Sequence, residues 1–272
     1  MSVSGSRPCL TVFCHWYRWT VAMGDSVQLF SIRSDDYAQF RPTYPSSLFN
    51  WLAEQCSVPS CALDVASGTG QATRGLVDHF DRVVACDASP GQLTGSTDWR
   101  SAERFAAQAE QLPLRDSVAD LIVVAQALHW FATPAFFDEA KRVLSADGLF
   151  CAWCYSLLRI EPPLDAMIEQ LHGETLSGYW PPGRASVDAG YRDIQAPFTT
   201  FQPPEFALEA HWNLPQLLGY LRTWSAVKQW QQTHGQDPVT SLESEFKRLW
   251  GNPEHQRRVR WPLHFLAGYP GR

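Results

Sequence analysis

The chain has 272 residues, 45% hydrophobic and 13% aromatic, which is enough to build a substantial core in one large domain or two small ones. A net charge of -6 without a long basic run leaves no electrostatic footprint for nucleic acid. Seven scattered cysteines, an odd number, read as reduced thiols of a cytoplasmic protein rather than as a disulfide framework.

Residues 10–22 are apolar but interrupted by His15 and Arg18, too short and too polar to span a bilayer, and without the apolar core of a secretory signal. We read 1–23 as an extension, disordered or left untranslated if Met23 is the start, and 24–272 as one domain. Residues 26–45 are rich in aromatic and turn-forming types and contain two X-Pro steps, an irregular entry. Leu48, Phe49, Leu52 and Cys56 then share a helix face that ends by Pro59.

The next stretch organises the rest of the chain. Cys61-Ala62-Leu63 is a buried strand, and Asp64-Val65-Ala66-Ser67-Gly68-Thr69-Gly70-Gln71 leads into a helix carrying Ala72 and Leu76. Strand, glycine turn and helix make a ligand loop: Gly68 and Gly70 permit a tight turn, and the helix N-terminus offers free N–H groups. Asp64 repels a pyrophosphate there and suits a cationic or hydroxyl-bearing ligand.

Residues 82–87 read as a second strand ending in Asp87, and Ser89-Pro90 starts a helix. A weaker strand near 104–107 leads to Gln108-Ala109-Glu110, and 120–125 is a continuous apolar strand opening onto Gln126, His129 and Trp130. Thr133-Pro134 caps a helix, and Ala146-Asp147-Gly148 turns into a strand over 149–153. This alternation predicts an α/β, doubly wound, mostly parallel sheet, with ligands outside the carboxyl ends of its strands.

Residues 157–197 read as a helical insertion over those strand ends. Beyond it lie an extended stretch over 198–210, a helix with Leu217, Leu221 and Trp224 in register, and a second with Leu242, Phe246 and Leu249. A closing strand spans 258–266, in which Pro262 implies a bulge or break. Cys151 and Cys154 form a lone C-x-x-C whose members point to opposite faces of a strand, so no metal site is expected.

The run 63–70, Asp87 and the segment 108–114 together resemble the class I S-adenosylmethionine-dependent methyltransferases. Residues 37–45 and 127–131 are similar to a small-molecule branch that includes trans-aconitate methyltransferases. The resemblance implies a Rossmann-like, seven-stranded sheet with its last strand antiparallel, and S-adenosyl-L-methionine as cofactor. In its terms Gly68 and Gly70 approach the methionine part, Asp87 takes the ribose hydroxyls, and Gln108, Ala109 and Glu110 border the adenine; Asp64, Ala66 and Gln126 are further cofactor-binding candidates of the same strand ends. Ala66 and Ser67 depart from the family's glycine and cysteine, and Gln108 from its frequent aspartate; Ala66 is accommodated if its φ stays negative.

Methyl transfer needs mainly alignment and exclusion of water, worth roughly 7–11 kcal/mol. A carboxylate or ionised phenol needs no base; for a hydroxyl or amine, His129 is the candidate, titrating near neutrality just beyond the fourth strand. Tyr37, Arg41, Tyr44 and Trp130 are candidates for touching a small-molecule substrate, with Arg41 attracting a carboxylate. Plainer readings make Asp64 and Asp87 capping residues, His129 a packing partner of Trp130, and Tyr37, Arg41 and Tyr44 a structural lid. An NAD(P) oxidoreductase is the first rival, disfavoured because the glycine after Gly70 is Gly75; a non-catalytic binding protein on the same fold is the second.

Overall fold

Strands covered on both faces need apolar side chains at every position, and that requirement sorts the chain into its central layer. The computed structural model describes residues 42–95 and 98–272; Tyr37, Arg41 and the 1–23 segment lie outside the described residues. In the first half, α1 (Ser46–Glu54), β1 (Cys61–Val65), α2 (Gln71–Leu76), β2 (Arg82–Asp87), α3 (Pro90–Thr94) and β3 (Glu103–Ala106) precede β4 (Ala119–Ala125). A one-turn 3-10 helix (Leu128–Trp130), α4 (Pro134–Val143) and β5 (Leu144–Tyr155) complete the parallel part. The order across the sheet is β3-β2-β1-β4-β5, all neighbours parallel.

Side-chain alternation divides the core between the two faces. Ala62, Leu121, Val123, Cys151 and Trp153 face one apolar cluster, and Leu63, Ile122, Val124, Ala152 and Cys154 face the other. Cys151 and Cys154 therefore do sit on opposite sides of β5. Burial is the main cause of the rise in both thiols, to about 12 for Cys154 and higher still for Cys151. The turn expected at 146–148 is a bulge: pairing slips from Ala119↔Leu144 to Leu121↔Leu149, and the strand continues.

The insertion contains α5 (Pro162–Gln170), a π-turn (Leu171–Thr175) and α6 (Arg184–Asp188). Two short strands, β6 (Thr200–Phe201) and β7 (Ala207–Trp212), precede three helices, α7 (Leu214–Arg222), α8 (Ser225–His234) and α9 (Pro238–Trp250). The apolar spacing predicts only two, with Trp224 inside the first; the chain instead turns at that residue and starts α8. An Asn213/Gln216 capping box fixes the start of α7, and Asp237 accepts Val239 N–H at 2.9 Å to start α9.

The last strand, β8 (Arg257–Gly268), is antiparallel, as the resemblance implied. It pairs with β7 over Arg257 to Pro262 and with β5 over Leu263 to Gly268. Pro262 thus marks a change of partner within one strand instead of a break: it lacks an N–H where one ladder ends, and Leu263 N–H takes up Phe206 O at 2.9 Å. β6 adds to the outer edge of β8. Among the described residues no helix is long and apolar enough to cross a membrane.

Candidate active site

The loop between β1 and α2 is shaped by left-handed backbone. Ala66 has φ +56°, Gly68 +56° and Gly70 +79°. The expected negative φ at Ala66 is therefore not what the chain adopts; the residue turns left-handed directly after the strand, at a cost of about 1 kcal/mol for its Cβ. Ser67 N–H meanwhile donates to Cys86 O at 2.9 Å, anchoring the turn to β2. Gly70 has no alternative residue, because a Cβ there would lie 2.5 Å from the ring of Trp99, which is buried against Ala85 and Leu93. At Gly68 a Cβ would have only Gln92 Oε1 within 4 Å, at 3.9 Å, so this part of the loop faces open space.

Two carboxylates border the loop. Asp64 is fully buried; its Oδ2 accepts the Thr73 hydroxyl at 2.6 Å, while Oδ1 has no hydrogen-bond partner. Burial above all pushes its carboxyl up to about 7, with a smaller contribution from the nearby Asp87. Ser67 Oγ is likewise buried and without a partner. Asp87, at the end of β2, accepts Gly68 N–H through Oδ2 at 2.9 Å and Ser89 N–H through Oδ1 at 2.8 Å. Burial raises its carboxyl while those two amide bonds lower it. Asp64 thus ties β1 to Thr73 of α2 and Asp87 braces the backbone at Gly68 and Ser89, and each keeps acceptor capacity in hand.

The segment after β3 is held close by Ala107 N–H, which donates to Asp87 O at 3.1 Å. Gln108 is exposed there, Ala109 buried and Glu110 half-buried. Arg142 of α4 staples residues 112–116, donating to Leu112 O, Leu114 O and Asp116 while pairing with Glu139, whose carboxylate accepts Leu112 N–H at 2.6 Å. The sequence carries no signal for this staple, since its members lie far apart along the chain.

Gln126, at φ +61°, turns its amide away from the loop and onto β5. Its Nε2 donates to Tyr155 O at 2.9 Å and its Oε1 accepts Tyr155 N–H at 2.8 Å, which continues the β4–β5 ladder with a side chain. Tyr44 is buried before α1 with its ring edge-on to Trp153 at 5.5 Å.

His129 and Trp130 occupy the 3-10 turn after β4, their rings 4.8 Å apart. Tyr191 pins this turn: its buried hydroxyl lies 3.4 Å from His129 Nδ1. Gly183, at φ +84°, packs against the other side of the imidazole, where a Cβ would come within 2.8 Å of Cδ2. His129 does not titrate near neutrality. Burial, and then the charge of Arg184, push it down to about 4, so at pH 7 the ring is neutral and a weak base. An open groove of about 520 Å³ runs along its outer side, lined by Trp130, Thr133, Ser186, Asp193 and Gln195.

Asp64, Ala66, Gly68, Gly70 and Asp87 thus surround one loop, 108–110 flanks it, and His129 and Trp130 lie beyond the next strand end. The unpartnered Asp64 Oδ1 and Ser67 Oγ fit the cationic end of a ligand, and Asp87 fits hydroxyl groups.

Residues 63–152 match the family described as methyltransferase domain. A candidate methyltransferase of Dictyostelium discoideum is 29% identical across 86% of this chain and 91% of its own length. A malonyl-[acyl-carrier protein] O-methyltransferase of Geobacter sulfurreducens is 36% identical over 43% of this chain, less than half of that enzyme's length. A solved structure, of a candidate type II methyltransferase from Anaeromyxobacter dehalogenans, superposes with a TM-score of 0.81 at 37% identity, covering 85% of this chain and 98% of that one.

Proposed function

Because this chain belongs to the class I S-adenosylmethionine-dependent methyltransferases, we propose that it methylates a small molecule held over the carboxyl ends of β4 and β5. The observation that carries this reading is the roof. The insertion between β5 and β6 folds back so that Gly183 and Tyr191 both touch the turn at His129, beside the groove lined by Trp130, Thr133 and Ser186.

S-adenosylmethionine supplies an electrophilic methyl group on a sulfonium. The chain's own part is to bind, orient and exclude water. Asp64 Oδ1 and Ser67 Oγ receive the cationic end of the cofactor, the free lone pairs of Asp87 receive its ribose hydroxyls, and the 108–110 segment borders its base. Neutral His129 orients the acceptor as a hydrogen-bond partner and takes no proton from it at pH 7.

An acceptor oxygen already ionised at neutral pH, a carboxylate or an acidic phenol, fits a site whose histidine is a weak base. Similarity of 37–45 and 127–131 to the trans-aconitate branch and the Geobacter O-methyltransferase both favour a carboxylate. Transfer of label from methyl-labelled S-adenosylmethionine to a panel of acids, phenols and amines tests this. Turnover of acids as methyl esters is the expected result, and turnover confined to amines or alcohols refutes the base-free reading.

A further inference from the structure

Tyr191 is held in a conformation that its own side chain disfavours. Its N–H donates to Ser186 O at 2.9 Å and Gly190 N–H donates to Val187 O at 2.9 Å, which closes α6 in a Schellman turn. Gly190 takes the left-handed position that such a turn requires, at φ +63°, and a Cβ there would come within 2.8 Å of the His264 ring of β8. Tyr191 is then left-handed as well, at φ +61°, where a bulky residue is rarely found. Strain of this kind persists where the surrounding structure fixes it, and it gathers at functional sites. Its result here is a Tyr191 ring only 2% exposed, with the hydroxyl at His129 Nδ1.

The direction of that hydrogen bond follows from where the two protons can go. Burial above all holds the phenol well above its ordinary range, so Tyr191 keeps its O–H at neutral pH, while His129 is neutral and carries one ring N–H. Were Nδ1 to carry it, the Tyr191 hydroxyl would have a proton and no acceptor for it among the described residues. A buried donor left unmet is rarer and costlier than a lone pair left unmet, so the hydroxyl donates and Nδ1 accepts. The imidazole proton then lies on Nε2. That nitrogen has no partner among the described residues, and half-buried His129 forms part of the groove wall with Trp130, Thr133 and Ser186.

We propose that Tyr191 is a positioning residue: by donating to Nδ1 it fixes His129 as the Nε2–H tautomer, so that the site presents a hydrogen-bond donor to the methyl acceptor. This rests on the methyl-transfer reading. A donor suits an oxygen with lone pairs to spare. One lone pair takes the Nε2–H, and another forms the O–C bond as the C–S bond of the sulfonium breaks; that bond's electron pair stays on sulfur, and no proton moves. A protonated amine meets the same N–H donor to donor and is turned away. Selection thus comes from the tautomer, which the weak basicity of the histidine does not by itself decide.

Nitrogen NMR on the full chain with labelled histidine reads the tautomer directly, because protonated and bare ring nitrogens resonate far apart, and His129→Gln assigns the signals. At neutral pH the wild type is expected to carry its His129 proton on Nε2, with the Nδ1 signal displaced by its hydrogen bond. Tyr191→Phe keeps the ring and removes the donor. The Nδ1 signal is then expected to move to that of a free imine nitrogen, and kcat for the acid that turns over fastest to fall about tenfold, the order of one hydrogen bond. Affinity for S-adenosylhomocysteine is expected to stay within twofold. A proton on Nδ1 in the wild type overturns the proposal whether or not methyl groups are transferred. So does an unchanged kcat in Tyr191→Phe, or a fall in kcat with the Nδ1 signal unmoved, which leaves Tyr191 a packing role. A wild type that methylates no acceptor overturns the methyl-transfer reading and the positioning role with it, while the NMR still reports the tautomer.

Discussion

Asp87 accepts the backbone N–H of Gly68 at 2.9 Å, so the acid that ends β2 braces the loop that leaves β1. The two parts of the proposed cofactor cradle are therefore one unit. Asp87→Ala is expected to weaken S-adenosylhomocysteine binding by more than tenfold, about 1.4 kcal/mol, while the chain stays folded. Calorimetric titration measures it, and an unchanged affinity removes Asp87 from the cradle.

Burial keeps a proton on Asp64 up to about 7, against 3.8 for a free side chain. The unfolded chain gives up that proton earlier, so the folded state binds more protons between these values. The stability contributed by the site is complete below about pH 4, declines through the window, and is lost above about pH 7, by up to about 4 kcal/mol. Asp64→Asn cannot ionise and keeps an acceptor for Thr73. Its urea midpoint is expected to exceed that of the wild type near pH 8 and to match it near pH 4. A cationic cofactor prefers the ionised acid, so wild-type affinity for S-adenosylmethionine should weaken as pH falls from about 8 to about 6, and that of Asp64→Asn should not.

Gln126 commits its amide to both backbone groups of Tyr155. Gln126→Leu leaves that N–H and carbonyl unmet, at a cost of about 2 kcal/mol in chemical denaturation. Its effect on S-adenosylhomocysteine affinity is expected to be smaller than that of Asp87→Ala. The reverse ranking would make Gln126 a ligand residue first.

Ala66 sits at φ +56°, where glycine is unstrained. Ala66→Gly is expected to raise stability by up to about 1 kcal/mol, the relief of strain exceeding the added freedom of the unfolded chain. A clear loss of stability would mean that the left-handed turn is not the solution conformation.

The parallel layer is legible in the sequence because strands such as 82–87 and 120–125 are short, apolar and bounded by turn residues, and both match the structure to within a residue. Asp64, Gly68, Gly70 and Asp87 are legible for the same reason: a strand end next to a glycine turn fixes where a side chain must lie. Residues whose part depends on remote packing are not. Nothing local marks Trp99 as the ring that Gly70 must clear, or Arg142 as the staple of 112–116. Arg184 hides behind Trp180-Pro181-Pro182-Gly183, which signals a turn and says nothing of the cation after it. The position of His129 can be read from its place past a strand end, but its weak basicity cannot, because a neighbouring charge and burial leave no trace in spacing.

The change of partner along β8 also constrains the order in which the molecule is made. The outer edge of β5 finds its ladder only in residues 263–268, after the insertion and three helices have been synthesised. At cellular rates of about 5–20 residues per second, that edge waits roughly 10 s on the ribosome. During this time 150–155, an apolar edge without proline or charge, is a template for pairing with another chain. The last strand is thus also the step that ends the nascent chain's exposure to aggregation, and holdase chaperones would be expected to act on this enzyme before it rather than after.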